Sequence, residues 1–108
     1  MTQVVLLWWE GCPSHPQALE ELRQAMEDEG LDPGSVEVRE VTGDEEAERE
    51  RFVGSPTIRI DGEDIVPVEG EPTALACRVY RLRDGRPSPV PDPDDVRAAL
   101  RRHRDHST

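Results

Sequence analysis

Two cysteines, Cys12 and Cys77, carry the most reactive chemistry available to this 108-residue chain. A thiolate is a strong nucleophile and a soft metal ligand, so the surroundings of each decide what it can do. Cys12 lies in the stretch Glu10-Gly11-Cys12-Pro13-Ser14-His15-Pro16, just after a continuous apolar run. A helix starting behind it would offer partial positive charge and free N–H groups, which hold a sulfur negative. The spacing therefore predicts Cys12 exposed at the start of the first helix, as the attacking sulfur. Gly11 and Pro13 keep its surroundings rigid and open. The competing reading is a small apolar residue that caps the core.

His15, three residues on, has three possible roles. It can lower the thiol pKa, pass a proton, or join Cys12 on a metal; otherwise it is a solvated histidine just outside a helix. Cys-x-x-His spacing supplies two ligands of a tetrahedral zinc site. The other candidates are Cys77, His103 and His106, so no stable zinc site is expected. Cys77 is either a buried strand cysteine or the partner of Cys12. As partner it would resolve a disulfide, or share a soft ion such as mercury or copper(I). Bridging needs Cα atoms within about 7 Å. Trp8 and Trp9 point to opposite faces of a regular strand. One belongs to the core, and Trp9 is the candidate wall under the Cys12 loop for a docking substrate. The acidic run Asp44 to Glu50 reads as a solvated helix face, with a metal or basic-partner site as the alternative.

These residues need elements to position them. Gln3 to Trp9 is a strand buried on both faces. Pro16 suits the first turn of a helix whose stripe is Leu19, Leu22 and Met26, with Ala18 and Ala25 beside it. Gly30 closes that helix in the left-handed conformation, with Leu31 folding back. Ser35 to Val41 alternates as a second strand. Thr42 to Arg51 is a short exposed helix, with Thr42 as cap and Glu45 three residues on. Thr57 to Ile60 is a third strand, Asp61-Gly62 a tight turn, and Asp64 to Val68 the returning partner. Ala76 to Arg83 reads as a further strand or extended edge. Residues 86–93, with four prolines, form an extended link. Asp92 caps a last helix opened by Pro93, with Val96, Ala99 and Leu100 inward. Residues 103–108 are predicted to fray.

The order β-α-β-α-β-β-α implies one domain over 1–108. Its fold class is α/β: a mixed four-stranded, or five-stranded, sheet flanked by three helices. Hydrophobic residues make up 34% and the net charge is −11, yet the apolar residues cluster into runs, which argues against disorder. The acidic excess falls in residues 1–77, whereas 78–108 is net basic. An acidic body repels phosphates and anionic lipid, so nucleic acid and membrane are not expected partners. All 13 basic residues are arginine, which excludes a lysine nucleophile or Schiff base. No apolar run spans a bilayer and no leader pattern opens the chain, so the expected location is cytoplasmic, where thiols stay reduced.

Element order and two local features resemble the thioredoxin-like superfamily. Cys12-Pro13-Ser14-His15 stands where that family keeps its Cys-x-x-Cys redox motif. Gly54-Ser55-Pro56-Thr57-Ile58 is similar to the loop holding its cis-proline. The likeness covers residues 3–68 and the last helix; the longer segment 69–91 resembles small thioredoxin-like proteins found among bacterial metal-resistance genes. It implies that Pro56 is cis and faces Cys12. Ser55 would then offer backbone N–H and C=O groups to an extended partner peptide; the plain alternative is a turn opening an edge strand. His15 in place of the second cysteine prevents Cys12 from cycling within its own motif. The expected function is a monothiol redox protein, a possible thiol–disulfide oxidoreductase. Cys12 would attack a disulfide or oxidised thiol, and Cys77 or an external thiol would resolve it. No cofactor is implied. The partner would be a protein or a low-molecular-weight thiol or disulfide, and the chain a monomer or weak dimer. The alternatives are a soft-metal or mercurial-binding module using Cys12 with Cys77, and a redox-inactive scaffold binding partners through its edge strand or acidic face.

Overall fold

Leu6 and Leu7 are adjacent in sequence, yet both are fully buried, because the strand that carries them is covered on two sides. The computed structural model describes residues 2–68 and 70–106. β1 (Val4–Trp8) sends Val4 and Leu6 to one face and Val5 and Leu7 to the other, as strand alternation requires. β2 (Glu37–Glu40) lies parallel to β1; β3 (Thr57–Ile60) lies antiparallel on its other side, and β4 (Glu63–Asp64) follows β3 through the Asp61-Gly62 turn. The sheet order is β2-β1-β3-β4. Asp61 and Gly62 both take positive φ, the geometry that a two-residue hairpin with native twist demands.

α1 (His15–Asp28) and α3 (Pro93–His106) pack on one face. Ala18, Leu22, Ala25 and Met26 of α1 meet Val96, Ala99 and Leu100 of α3 over Leu6, Ile58 and Ile60. α1 ends where Gly30 turns left-handed and the Leu31 amide reaches back to the Met26 carbonyl at 2.8 Å. α2 (Asp44–Glu50) covers the other face, where Ala47 and Phe52 join Val5, Leu7 and Val41. A separate ribbon of β5 (Tyr80–Arg81) and β6 (Pro87–Ser88) lies outside the main sheet. No helix among the described residues is long and apolar enough to cross a membrane.

Several expectations change. β4 covers two residues rather than reaching Val68, because the Asp64 carboxylate accepts the Val66 amide and bends the chain away. The sheet keeps four strands: the stretch 76–83 contributes only an isolated bridge at Cys77 and the small ribbon. The extended link itself supplies β6. Gly43, not Thr42, caps α2, while the Thr42 hydroxyl donates to Glu46. α3 stays helical through His106, and His103 sits within 3.4 Å of both Asp61 and Glu63; residues 107 and 108 lie outside the described residues.

Glu29 ties α1 to α3. Its side chain is buried, and Arg101 binds both carboxylate oxygens, at 3.1 and 2.9 Å, while Arg104 reaches its backbone carbonyl. The Arg101 hydrogen bond, joined by the charges of Arg101, Arg104 and Arg97, holds the carboxyl below its ordinary range. A folded-state pKa below the unfolded value of about 4.3 gives stability that is present above that pH and lost as pH falls through the folded value. Urea unfolding should therefore show Glu29→Gln less stable than the parent at neutral pH. That gap should close on acidification; a constant gap would mean that the ion pairs are not its cause.

Candidate functional site

Cys12 sits in the tight turn that joins β1 to α1. Its amide donates to the Trp9 carbonyl at 3.1 Å, which curls residues 9–12 back over the end of the strand. Gly11 permits the curl: a Cβ there would fall 2.3–2.6 Å from the Trp9 indole. Trp9 itself is half-buried against the cluster of Val5, Leu7, Val41, Ala47 and Phe52 on the α2 face. Trp9 thus supports the loop from beneath, and Pro13 stays exposed at its crest.

The sulfur departs from expectation: Cys12 is only 2% exposed. Its pocket is polar, not apolar. The Cys12 Sγ and Ser14 Oγ share a hydrogen bond of 3.1 Å, and the Ser55 carbonyl lies 3.5 Å away. Ser14 is the residue before α1, and its hydroxyl turns to the sulfur instead of capping the helix. Burial raises the Cys12 pKa, but hydrogen bonds from the Cys77 thiol, the Ser14 hydroxyl and amide, and Ser55 outweigh it. The net effect holds the thiol below its ordinary value. The sulfur lies three residues before the first helical position, and the Ser14 amide helps to hold it negative.

The Ser55–Pro56 peptide is cis, and Ser55 is fully buried. The Ser55 hydroxyl accepts the Trp9 amide at 3.1 Å, tying the cis-proline loop to the cysteine loop. Contrary to expectation, Ser55 offers no free backbone edge. Its amide donates to the Ala76 carbonyl and its carbonyl accepts the Arg78 amide, each at 2.8 Å. These two bonds make a parallel bridge between Ser55 and Cys77. The chain's own segment 76–78 occupies the place assigned to a partner peptide, and that placement sets Cys77 against Ser55, whose carbonyl the Cys12 sulfur also approaches. Cys77 is exposed, not the buried strand cysteine of the competing reading. Its hydrogen bond to Cys12 pushes the Cys77 thiol up, aided by burial and by the Cys12 charge. Both cysteines are free thiols.

His15 is not part of this contact. Its ring stacks on Trp8, with centroids 4.0 Å apart and planes 16° from parallel, and its Nδ1 is buried without a partner among the described residues. No group of three or more metal-ligating side chains forms among the described residues. Sequence reasoning missed the residues that fix segment 76–78. The buried Arg78 side chain pairs with Asp64 at 2.8 Å, donates to Thr57 Oγ1 at 3.2 Å and to the Val66 carbonyl, and lies 4.6 Å over the Tyr80 ring. Tyr80 donates its hydroxyl to the Pro56 carbonyl; burial pushes its phenol up, so it remains a donor. At Gly54, with φ +150°, a Cβ would stand 3.0 Å from Arg78 Cβ, so only glycine lets the two segments meet. An arginine and a tyrosine flanking Val79 beyond a cysteine were the available signal.

Comparison with protein-family models, with curated proteins and with solved structures finds no match.

Gly11→Ala must displace the Trp9 indole. Overpacking of this kind costs about 1–3 kcal/mol. Denaturant unfolding should show that loss together with an altered tryptophan emission of the native state; an unchanged midpoint would mean that the indole does not close over residue 11.

Proposed function

We propose that this chain is a thioredoxin-like thiol–disulfide exchange protein whose working pair is Cys12 and Cys77. The observation that carries the reading is that both cysteines meet Ser55: the Cys12 sulfur lies 3.5 Å from its carbonyl, and Cys77 bridges its backbone. Support for the fold assignment comes from the order β2-β1-β3-β4, with the first pair parallel, and from a cysteine at the β1–α1 junction beside a cis-proline. In this reading Cys77 supplies, from a distant segment, the second sulfur that His15 replaces in the local motif. Sulfur displacement needs one sulfur held as thiolate and a second within bonding reach. Cys12 meets the first requirement, because Ser14, Ser55 and Cys77 stabilise its charge. Opposite shifts of the two thiols suit a couple in which Cys12 is the sulfur that leaves more readily.

The same contact favours a second reading: two soft sulfurs side by side can grip a two-coordinate thiophilic ion. Turnover distinguishes the two. An exchange protein passes oxidising equivalents repeatedly, whereas a metal module binds one ion and stops.

The ultraviolet absorbance of thiolate followed against pH tests the shared proton. The reduced protein should titrate in two steps, one below and one above the free cysteine value of about 8.5. Cys77→Ala should raise the lower step, since it removes the leading hydrogen bond to Cys12. Two steps at the free value, unchanged by the substitution, would remove the thiolate from the account.

A further inference from the structure

We propose that Cys77 is the sulfur that meets an external disulfide, and that Cys12 works behind it as base and resolving thiolate. This assignment of roles rests on the Cys12–Cys77 exchange reading above. It reverses the order expected from the sequence, and access is the reason. Displacement at sulfur needs the attacking atom in line with the bond that breaks. Cys12, 2% exposed and enclosed by Ser14, Ser55 and Cys77, has no open path to a molecule outside. The backbone edge along which a partner strand would slide to it is filled by residues 76–78. That segment is fixed by the buried Arg78 side chain on Asp64, Thr57 and the Val66 carbonyl. Cys77 is exposed, at a groove of about 220 Å³ lined by Val53, Val68, Glu71, Arg78 and Val79. Val79, 72% exposed, and Val68 give that groove an apolar rim.

The chemistry balances with a low-molecular-weight disulfide, RSSR, as the oxidant. In the reduced pair the Cys12 sulfur lies 3.5 Å from the Ser55 carbonyl, and Cys77 pairs with the Ser55 backbone beside it. Cys77 passes its proton to the Cys12 thiolate and attacks one sulfur of RSSR. The R–S–S–R bond breaks, the Cys77–S–S–R bond forms, and RS⁻ leaves and takes the proton from Cys12. The Cys12 thiolate then attacks the Cys77 sulfur, and the second RS⁻ leaves to be protonated by water. The protein ends as the Cys12–Cys77 disulfide and RSSR as two RSH. Run backwards, an external thiolate attacks exposed Cys77, and Cys12 departs as the stabilised thiolate. A lower leaving-group pKa speeds departure, so the low proton affinity of Cys12 suits this position.

The test uses hydroxyethyl disulfide, which is uncharged, on reduced parent, Cys12→Ser and Cys77→Ser proteins. Products are quenched in acid and located by peptide mass mapping. The parent should accumulate the internal disulfide. Cys12→Ser should hold a hydroxyethyl adduct on Cys77. Cys77→Ser should remain unmodified when folded, yet react at Cys12 in denaturant. An adduct forming on Cys12 of folded Cys77→Ser as fast as on Cys77 of Cys12→Ser would overturn the assignment while leaving the exchange reading intact. Failure of the parent to form an internal disulfide would overturn both. If either variant does not fold, a brief pulse of iodoacetamide on the reduced parent decides the matter: first labelling at Cys77 supports the assignment, and first labelling at Cys12 refutes it.

Discussion

Two backbone hydrogen bonds, from the Ser55 amide to Ala76 and from the Arg78 amide to Ser55, constrain everything else at the site. They lay a segment distant in sequence along the cis-proline loop. In doing so they close the edge that a partner strand would use and set Cys77 against the residue whose carbonyl the Cys12 sulfur meets. A lone cysteine at a strand–helix junction thereby becomes half of a pair. The bridge is short, so side chains must hold it. Arg78 does this from within, its guanidinium shared between Asp64, Thr57 and Val66, and the bare Gly54 lets the two segments approach. A buried guanidinium is costly unless paired, and here charge and hydrogen bonds are both met.

Burial alone would have silenced Cys12. Desolvation is the largest single influence on it and acts against the thiolate. The outcome turns on donors: Cys77, both polar groups of Ser14 and the Ser55 side chain together exceed it. Ser14 forgoes capping α1 to serve the sulfur. A cap contributes about 1 kcal/mol to a helix, so that diversion is the kind of local concession that functional sites show. Trp9 and Ser55 add stiffness, since the Trp9 amide holds the Ser55 hydroxyl and Gly11 rests on the indole.

Much of the architecture was legible in the chain. The run Gln3 to Trp9 announced a strand buried on both faces, Gly30 and Leu31 the end of α1, and Asp61-Gly62 the hairpin. Local patterns dictate these features, and local patterns can be read. The Cys12 loop and the Ser55–Pro56 loop were legible as candidates by resemblance, but their surroundings were not. Cys12 is buried rather than exposed because its sulfur packs against Ser14 and the distant Ser55 loop, a long-range contact with no periodic signature. His15 stacks on Trp8 and uses its ring as an apolar surface, which spacing from a cysteine cannot reveal. Arg78 and Tyr80 fall in the stretch 76–83, read as a further strand or extended edge, and only the fold shows both buried.

Amide hydrogen exchange at Ser55 and Arg78, followed residue by residue in the reduced protein, tests the seating of this segment most directly. The account predicts protection of both amides comparable to that of the paired amides of β1 and β3. Exchange of either as fast as the unpaired amides of exposed turns would show that the segment does not rest on the cis-proline loop, and the cysteine pair would have no structural basis.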